Sequence, residues 1–145
     1  MTFALLCSVG CKDKSGGTYP VSVKVTLDSA SLEGATVLLS EVSGSKSAVG
    51  ITNASGVANI KSTEGWDGVF PGEYNVVIKK TEITYTTTPP AGTEVDRSTP
   101  PEEEQRYSIT RELLPAKYGK ESTSGLKLSH VNQKETFEFD LSANP

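Results

Sequence analysis

Residues 21–27 read Val-Ser-Val-Lys-Val-Thr-Leu, so Val21, Val23, Val25 and Leu27 alternate with Ser22, Lys24 and Thr26. Successive side chains of a strand point to opposite faces. A period of two with β-branched residues therefore describes a strand with one face buried and one in water. The pattern returns at 36–40, 48–52, 57–61, 74–80, 125–131 and 136–141, with turn residues such as Asp28-Ser29 and Asn53-Ala54-Ser55-Gly56 between runs. In the last run Phe137, Phe139 and Leu141 face one way and Thr136, Glu138 and Asp140 the other. Residues 102–114 have room for a turn or two of helix, but no stretch sustains a helical period. Short strands roughly ten residues apart predict an all-β chain folded as a seven-stranded, Ig-like β-sandwich.

One region breaks the rhythm. Residues 81–112 form a long polar insertion holding Thr86-Thr87-Thr88-Pro89-Pro90 and Pro100-Pro101-Glu102-Glu103-Glu104. Loops of this length inside a compact domain are functional or disordered. Ile83, Tyr85, Val95, Tyr107 and Ile109 are its sizeable apolar and aromatic residues. Ile83 and Tyr85 share a parity, as do Tyr107 and Ile109, so each pair suits a short strand and the insertion is expected to be a mobile or hairpin-like protrusion. It is the candidate for contact with a protein partner. An exposed sheet edge also supports dimers, and the alternation does not say which edges are exposed.

The two cysteines, Cys7 and Cys11, both precede the strand runs, so no disulfide within the folded part is expected. Residues 1–11 are largely apolar and uncharged, then break into Lys12-Asp13-Lys14-Ser15-Gly16-Gly17. A run of about ten residues is short for a spanning helix, which takes ~20, and matches the apolar core of a signal peptide. Ser8-Val9-Gly10-Cys11 resembles a bacterial lipobox, with Ser8 in place of the usual leucine and no Lys or Arg before the apolar run. The resemblance implies a leader over 1–10, lipid attachment at Cys11, a flexible tether over 11–18 and a folded domain over 19–145. It places the protein in the cell envelope, extracytoplasmic and lipid-anchored, on the periplasmic or outer-membrane face. The competing reading is an apolar start of a cytoplasmic protein with two incidental cysteines.

Four motifs occur in order. Val25-Thr26-Leu27 through Leu32-Glu33-Gly34-Ala35-Thr36-Val37, the hairpin Ala48-Val49-Gly50-Ile51-Thr52-Asn53-Ala54-Ser55-Gly56, and Phe70-Pro71-Gly72-Glu73-Tyr74-Asn75-Val76 resemble carboxypeptidase regulatory-like domains, with Asn53 where that hairpin has aspartate. The tail, Leu114-Pro115-Ala116-Lys117-Tyr118 to Thr123-Ser124-Gly125-Leu126, is similar to small bacterial lipoproteins carrying such a domain. The resemblance covers most of 19–141 apart from the insertion. It implies a transthyretin-like sandwich of two sheets and a non-catalytic accessory role outside the cytoplasm.

Composition bears on chemistry. With 14 basic and 18 acidic residues the formal charge is −4, which argues against a nucleic-acid partner, since that needs a basic face. One histidine, His130, leaves too few ligands or bases for the hydroxyisourate hydrolases, intradiol dioxygenases and zinc carboxypeptidases associated with related folds. No catalytic residue, metal site or cofactor is expected. His130 shares the parity of Leu126 and Leu128 and is expected to lean toward the core at a strand end. Trp66, the only tryptophan, lies in a Gly-containing loop beside Glu64 and Asp67. An indole flanked by carboxylates suits stacking on a sugar ring, so these three residues are the candidate ligand contact of an alternative, carbohydrate-binding module. The blander reading makes Trp66 a loop anchor. Glu64, Asp67 and Glu73 have oxygen donors suited to calcium, but in no recognisable calcium-loop spacing. Lys24 falls on the polar parity of its strand, away from any buried isopeptide bond. The sequence therefore predicts a membrane-anchored module that binds or spaces, with a protein or a glycan as partner.

Overall fold

The computed structural model describes residues 17–88, 91–92 and 106–144. The expected leader, Cys7, Cys11, most of the expected tether, and Pro89, Pro90, Val95 and Glu102-Glu103-Glu104 lie outside the described residues. The described chain is all-β, with strands β1 (Val21–Leu27), β2 (Ala30–Ser31), β3 (Thr36–Glu41), β4 (Ser47–Ile51), β5 (Val57–Asn59), β6 (Lys61–Ser62), β7 (Gly72–Lys79), β8 (Thr81–Thr86), β9 (Tyr107–Glu112), β10 (Leu126–Val131) and β11 (Glu135–Leu141). A 3-10 turn, Ala116–Gly119, and one helical turn, α1 (Glu121–Ser124), separate β9 from β10. Each run of alternation carries a strand, but the number among the described residues is eleven rather than seven. The run at 57–61 divides into β5 and β6, Ala30–Ser31 closes a hairpin onto β1, and β8 and β9 pair within the insertion. Residues 107–112, within the stretch expected to have room for helical turns, are strand β9.

Three sheets result. In the first, β1 lies between β11 on one side and β2 and β5 on the other. The second is five-stranded, in the order β10-β7-β3-β4-β6. The third is the two-stranded ribbon β8–β9. The alternation explains the packing: Val21, Val23 and Val25 are buried while Ser22, Lys24 and Thr26 remain partly in water. They meet Val37, Leu39, Tyr74, Val76, Ile78 and Leu128 of the second sheet in one hydrophobic cluster. Leu39 and Ile78 are fully buried, each contributing about 1.5–3 kcal/mol through removal of its side chain from water.

The first and last strands of the fold, β1 and β11, pair in parallel, Val21 opposite Glu135 through Leu27 opposite Leu141. This puts Phe137 and Phe139 against the core beside Val23 and Val25. The two-residue turn from β1 to β2 holds Asp28 and Ser29 at positive φ, 49° and 68°. Hairpins of this length favour that conformation because its twist matches the strands. Here Asp140 steadies it, accepting hydrogen bonds from the Ser29 amide (3.0 Å) and the Thr26 hydroxyl (2.8 Å). Asn53 does similar work in the β4–β5 hairpin: its side-chain oxygen accepts from the amides of Ser55 and Val57 at 3.0 and 3.1 Å.

His130 does not lean inward as its parity predicts. The β10–β7 register shifts between Leu128 and Val131, and His130 takes φ 53°. The extra residue reverses the alternation, so Val131 fills the core and the imidazole stands in solvent, Nε2 3.5 Å from Glu73 Oε1.

The direction of β7 sets the two ends of the molecule. Tyr19 exchanges backbone hydrogen bonds with Val69 at 2.8 and 3.0 Å, beside the segment that opens β7. β7 then runs for eight residues to Lys79, where the ribbon departs. At ~3.3 Å per residue the two ends of β7 are roughly 25 Å apart. The ribbon returns through Leu114 and Tyr118, both buried, and the Tyr118 hydroxyl accepts from the Ser142 amide at 3.0 Å.

Candidate functional site

The Trp66 loop lies at the end marked by the Tyr19–Val69 contact. Ser62 organises it: its amide donates to the Trp66 carbonyl (2.8 Å), its carbonyl accepts from Gly65 (2.9 Å) and its hydroxyl accepts from the Glu64 amide (3.2 Å). The Gly68 amide donates to the Ile60 carbonyl (2.9 Å), and Thr18 Oγ1 donates to the Asp67 carbonyl (2.7 Å). Trp66 keeps 38% exposure, and Glu64 and Asp67 are exposed. The loop thus holds the three predicted ligand contacts within a few residues of each other, but Asp67 forms an ion pair with Lys61 at 3.3 Å. An open groove of about 280 Å³ runs alongside, lined by Pro20, Ser22, Asn59, Ile60, Lys61 and Asp67 among others, and Trp66 is not part of its lining. Glu73 Oε1 lies 3.5 Å from His130 Nε2 on β10. No group of three His, Cys, Asp or Glu side chains placed to hold a metal occurs among the described residues. Lys24 Nζ lies 3.4 Å from Glu138 Oε1 in a half-exposed pair on the outer face of the first sheet.

Perturbed titrations fall on structural hydrogen bonds. Ser45 and Ser43 hold the Glu41 carboxyl below its ordinary value, and Thr26 with the Ser29 amide does the same for Asp140. Burial raises the Tyr74 phenol, whose hydroxyl donates to the Phe70 carbonyl at 3.0 Å. Lys46 sits over the Phe70 ring, 3.1 Å from its centroid, tying the β3–β4 loop to the segment before β7.

The opposite end carries the ribbon. Thr81–Thr86 and Tyr107–Glu112 pair antiparallel through six residues each. No other strand pairs with either among the described residues. Directly opposed residues share a face, so Ile83 and Tyr85 lie on one side with Thr110 and Ser108, and Ile109 and Tyr107 lie on the other with Thr84 and Thr86. Ile83, Tyr85 and Ile109 are 56%, 68% and 46% exposed. Their parity was readable in the sequence; the register that sets the two pairs on opposite faces was not. Isolated two-stranded hairpins are marginal in water, and this one is secured at its root, where the Leu113 amide donates to the Lys80 carbonyl at 2.8 Å.

Among the described residues no helix is long and apolar enough to cross a membrane. No protein-family model matches this chain, and neither the curated proteins nor the solved structures contain a match to it.

Proposed function

We propose that this chain is a non-catalytic, lipid-anchored module of the cell envelope, whose domain is a transthyretin-like sandwich and whose ribbon β8–β9 makes contact with protein. The pooling of residues from both large sheets in one core supports the sandwich, with β1, β3, β4, β5, β7, β10 and β11 as its seven principal strands. One observation carries the interaction reading. A ribbon with Ile83 and Tyr85 on one face and Ile109 on the other, with which no other strand pairs among the described residues, stands at the end of β7 remote from the Tyr19–Val69 junction. Apolar side chains held in water on both faces of a ribbon serve no core. With Cys11 acylated and 12–18 as tether, the sandwich would hold that ribbon away from the membrane surface.

Two measurements test the reading. A palmitate analogue should label the wild-type protein and not Cys11→Ala; an unlabelled wild type rules out the anchor. Tyr85→p-benzoylphenylalanine, irradiated in cells, should give protein adducts, and failure to give any, with Ile109 probed in the same way, removes the interaction role. The carbohydrate-binding alternative rests on the partly exposed Trp66 indole beside Glu64. It predicts glycan-array binding that disappears in Trp66→Ala.

A further inference from the structure

We infer that the free edge of β9 pairs with β9 of a second copy of this chain, making one four-stranded sheet from two ribbons. The inference rests on the ribbon as an interaction element and names its occupant.

The backbone prepares the edge. The Leu113 amide donates to the Lys80 carbonyl, and the register continues without a break from Thr81–Glu112 to Thr86–Tyr107. Hydrogen-bonded and non-hydrogen-bonded pairs alternate along an antiparallel ladder. The pairs Glu82–Arg111, Thr84–Ile109 and Thr86–Tyr107 therefore bond within the ribbon. The amides and carbonyls of Ser108, Thr110 and Glu112 point out from the open side of β9, which no other strand covers among the described residues. Such a row is a template for a further strand.

The side chains select the occupant. Charges on an edge strand usually repel a second copy, but those on β9 complement themselves. Residues 106–112 read Arg-Tyr-Ser-Ile-Thr-Arg-Glu. Set antiparallel to its own copy about Ile109, this segment faces Ile109 with Ile109 and Ser108 with Thr110. It faces Tyr107 with Arg111 and Arg106 with Glu112. Every opposed pair is apolar, hydroxyl–hydroxyl, cation–aromatic or oppositely charged, the combinations that stabilise neighbouring strands. Ser108 and Thr110 also meet at a position where their outward backbone groups can exchange hydrogen bonds. Moving the two-fold by one residue, onto Thr110, sets Ile109 against Arg111 and Ser108 against Glu112, and the match is lost. Arg106, Arg111 and Glu112 form no ion pair among the described residues, so their charges are not already neutralised there. The β8 edge has one charge, Glu82, and no such self-complement.

Sedimentation velocity of the full chain from about 10 to 500 μM should show a reversible monomer–dimer equilibrium. Arg106→Glu and Glu112→Arg should each weaken it about tenfold, since each places like charges opposite at two symmetry-related positions. The double variant, which restores opposite charges, should return to within about threefold of wild type. Glu33→Arg, on an exposed turn of the body away from the ribbon, should leave the association unchanged, and far-UV circular dichroism checks that all variants fold. A chain monomeric throughout the range overturns the inference, as does a double variant no better than the single ones. If the chain stays monomeric while Tyr85→p-benzoylphenylalanine gives adducts with another protein, self-pairing fails and the interaction role stands.

Discussion

Gly68→Ala should destabilise the fold by about 2–5 kcal/mol, more than any other substitution that adds a single methyl group to the Trp66 loop. Gly68 has φ +91°, and a Cβ there would meet the Tyr19 carbonyl oxygen, lie 2.5 Å from the Tyr19 carbonyl carbon and 2.8 Å from the Pro20 nitrogen. The conformation alone costs an L-residue about 1–2 kcal/mol. The obstruction is backbone, so it cannot be relieved by a rotamer change. The Tyr19 segment must move off, and with it go the two hydrogen bonds exchanged with Val69 at 2.8 and 3.0 Å. At about 0.5–1.5 kcal/mol each, they bring the total to the stated range. Gly65→Ala is the control, because Gly65 has nearly the same φ, +92°, with nothing within 4 Å of a Cβ. It should cost only the conformational part, about 1–2 kcal/mol. Urea unfolding of the three proteins, followed by Trp66 fluorescence and by circular dichroism, gives the comparison. Equal losses in Gly65→Ala and Gly68→Ala would refute the close approach as the cause. The result bears on the proposed function because this contact fastens the first described residues to the body.

Leu39→Ala, at a fully buried position between the sheets, should cost about 2–5 kcal/mol in the same assay. Tyr74→Phe should lose about 0.5–1.5 kcal/mol, because only the hydrogen bond to the Phe70 carbonyl is removed while the ring still fills its place. Asp140 has a lowered pKa in the folded protein, so its contribution is present above the ordinary aspartate value of about 3.9 and fades as pH falls through the folded value. The stability gap between wild type and Asp140→Asn should therefore narrow between about pH 5 and pH 2; a constant gap would show that the carboxylate charge is not what holds the Asp28–Ser29 turn. Replacing residues 82–111 by a short Gly-Ser turn should leave the thermal midpoint within a few degrees of wild type, since the core formed by the described residues lies outside that segment. A large loss would mean that the ribbon supports the body.

Much of the strand placement was legible because the side-chain period of a strand is a local property. Val21, Val23 and Val25 in one sheet and Leu39, Val76 and Ile78 in the other lie in the core where alternation or apolar run assigns them. Trp66, Asp67 and Glu64 were found by composition, but their neighbours were not: the Lys61–Asp67 ion pair and the Tyr19–Val69 contact join segments whose proximity depends on the whole fold. His130 shows where the local rule fails. A single inserted residue at a bulge reverses parity, and its only local trace is a backbone angle that the residue type does not announce.

By itself the sequence determined that the chain is built of strands, that Phe137, Phe139 and Leu141 share a face, and that 81–112 stands apart from the regular rhythm. Each follows from periodicity or from residues unable to join a core. Tertiary structure decided the rest: the parallel pairing of β1 with β11 more than a hundred residues away, the separation of the Trp66 loop from the ribbon along β7, and the register that turns Ile83 and Ile109 to opposite faces. Pairing partners and registers are chosen by the summed burial and hydrogen bonding of the assembled sheets, and no short window of residues contains that sum.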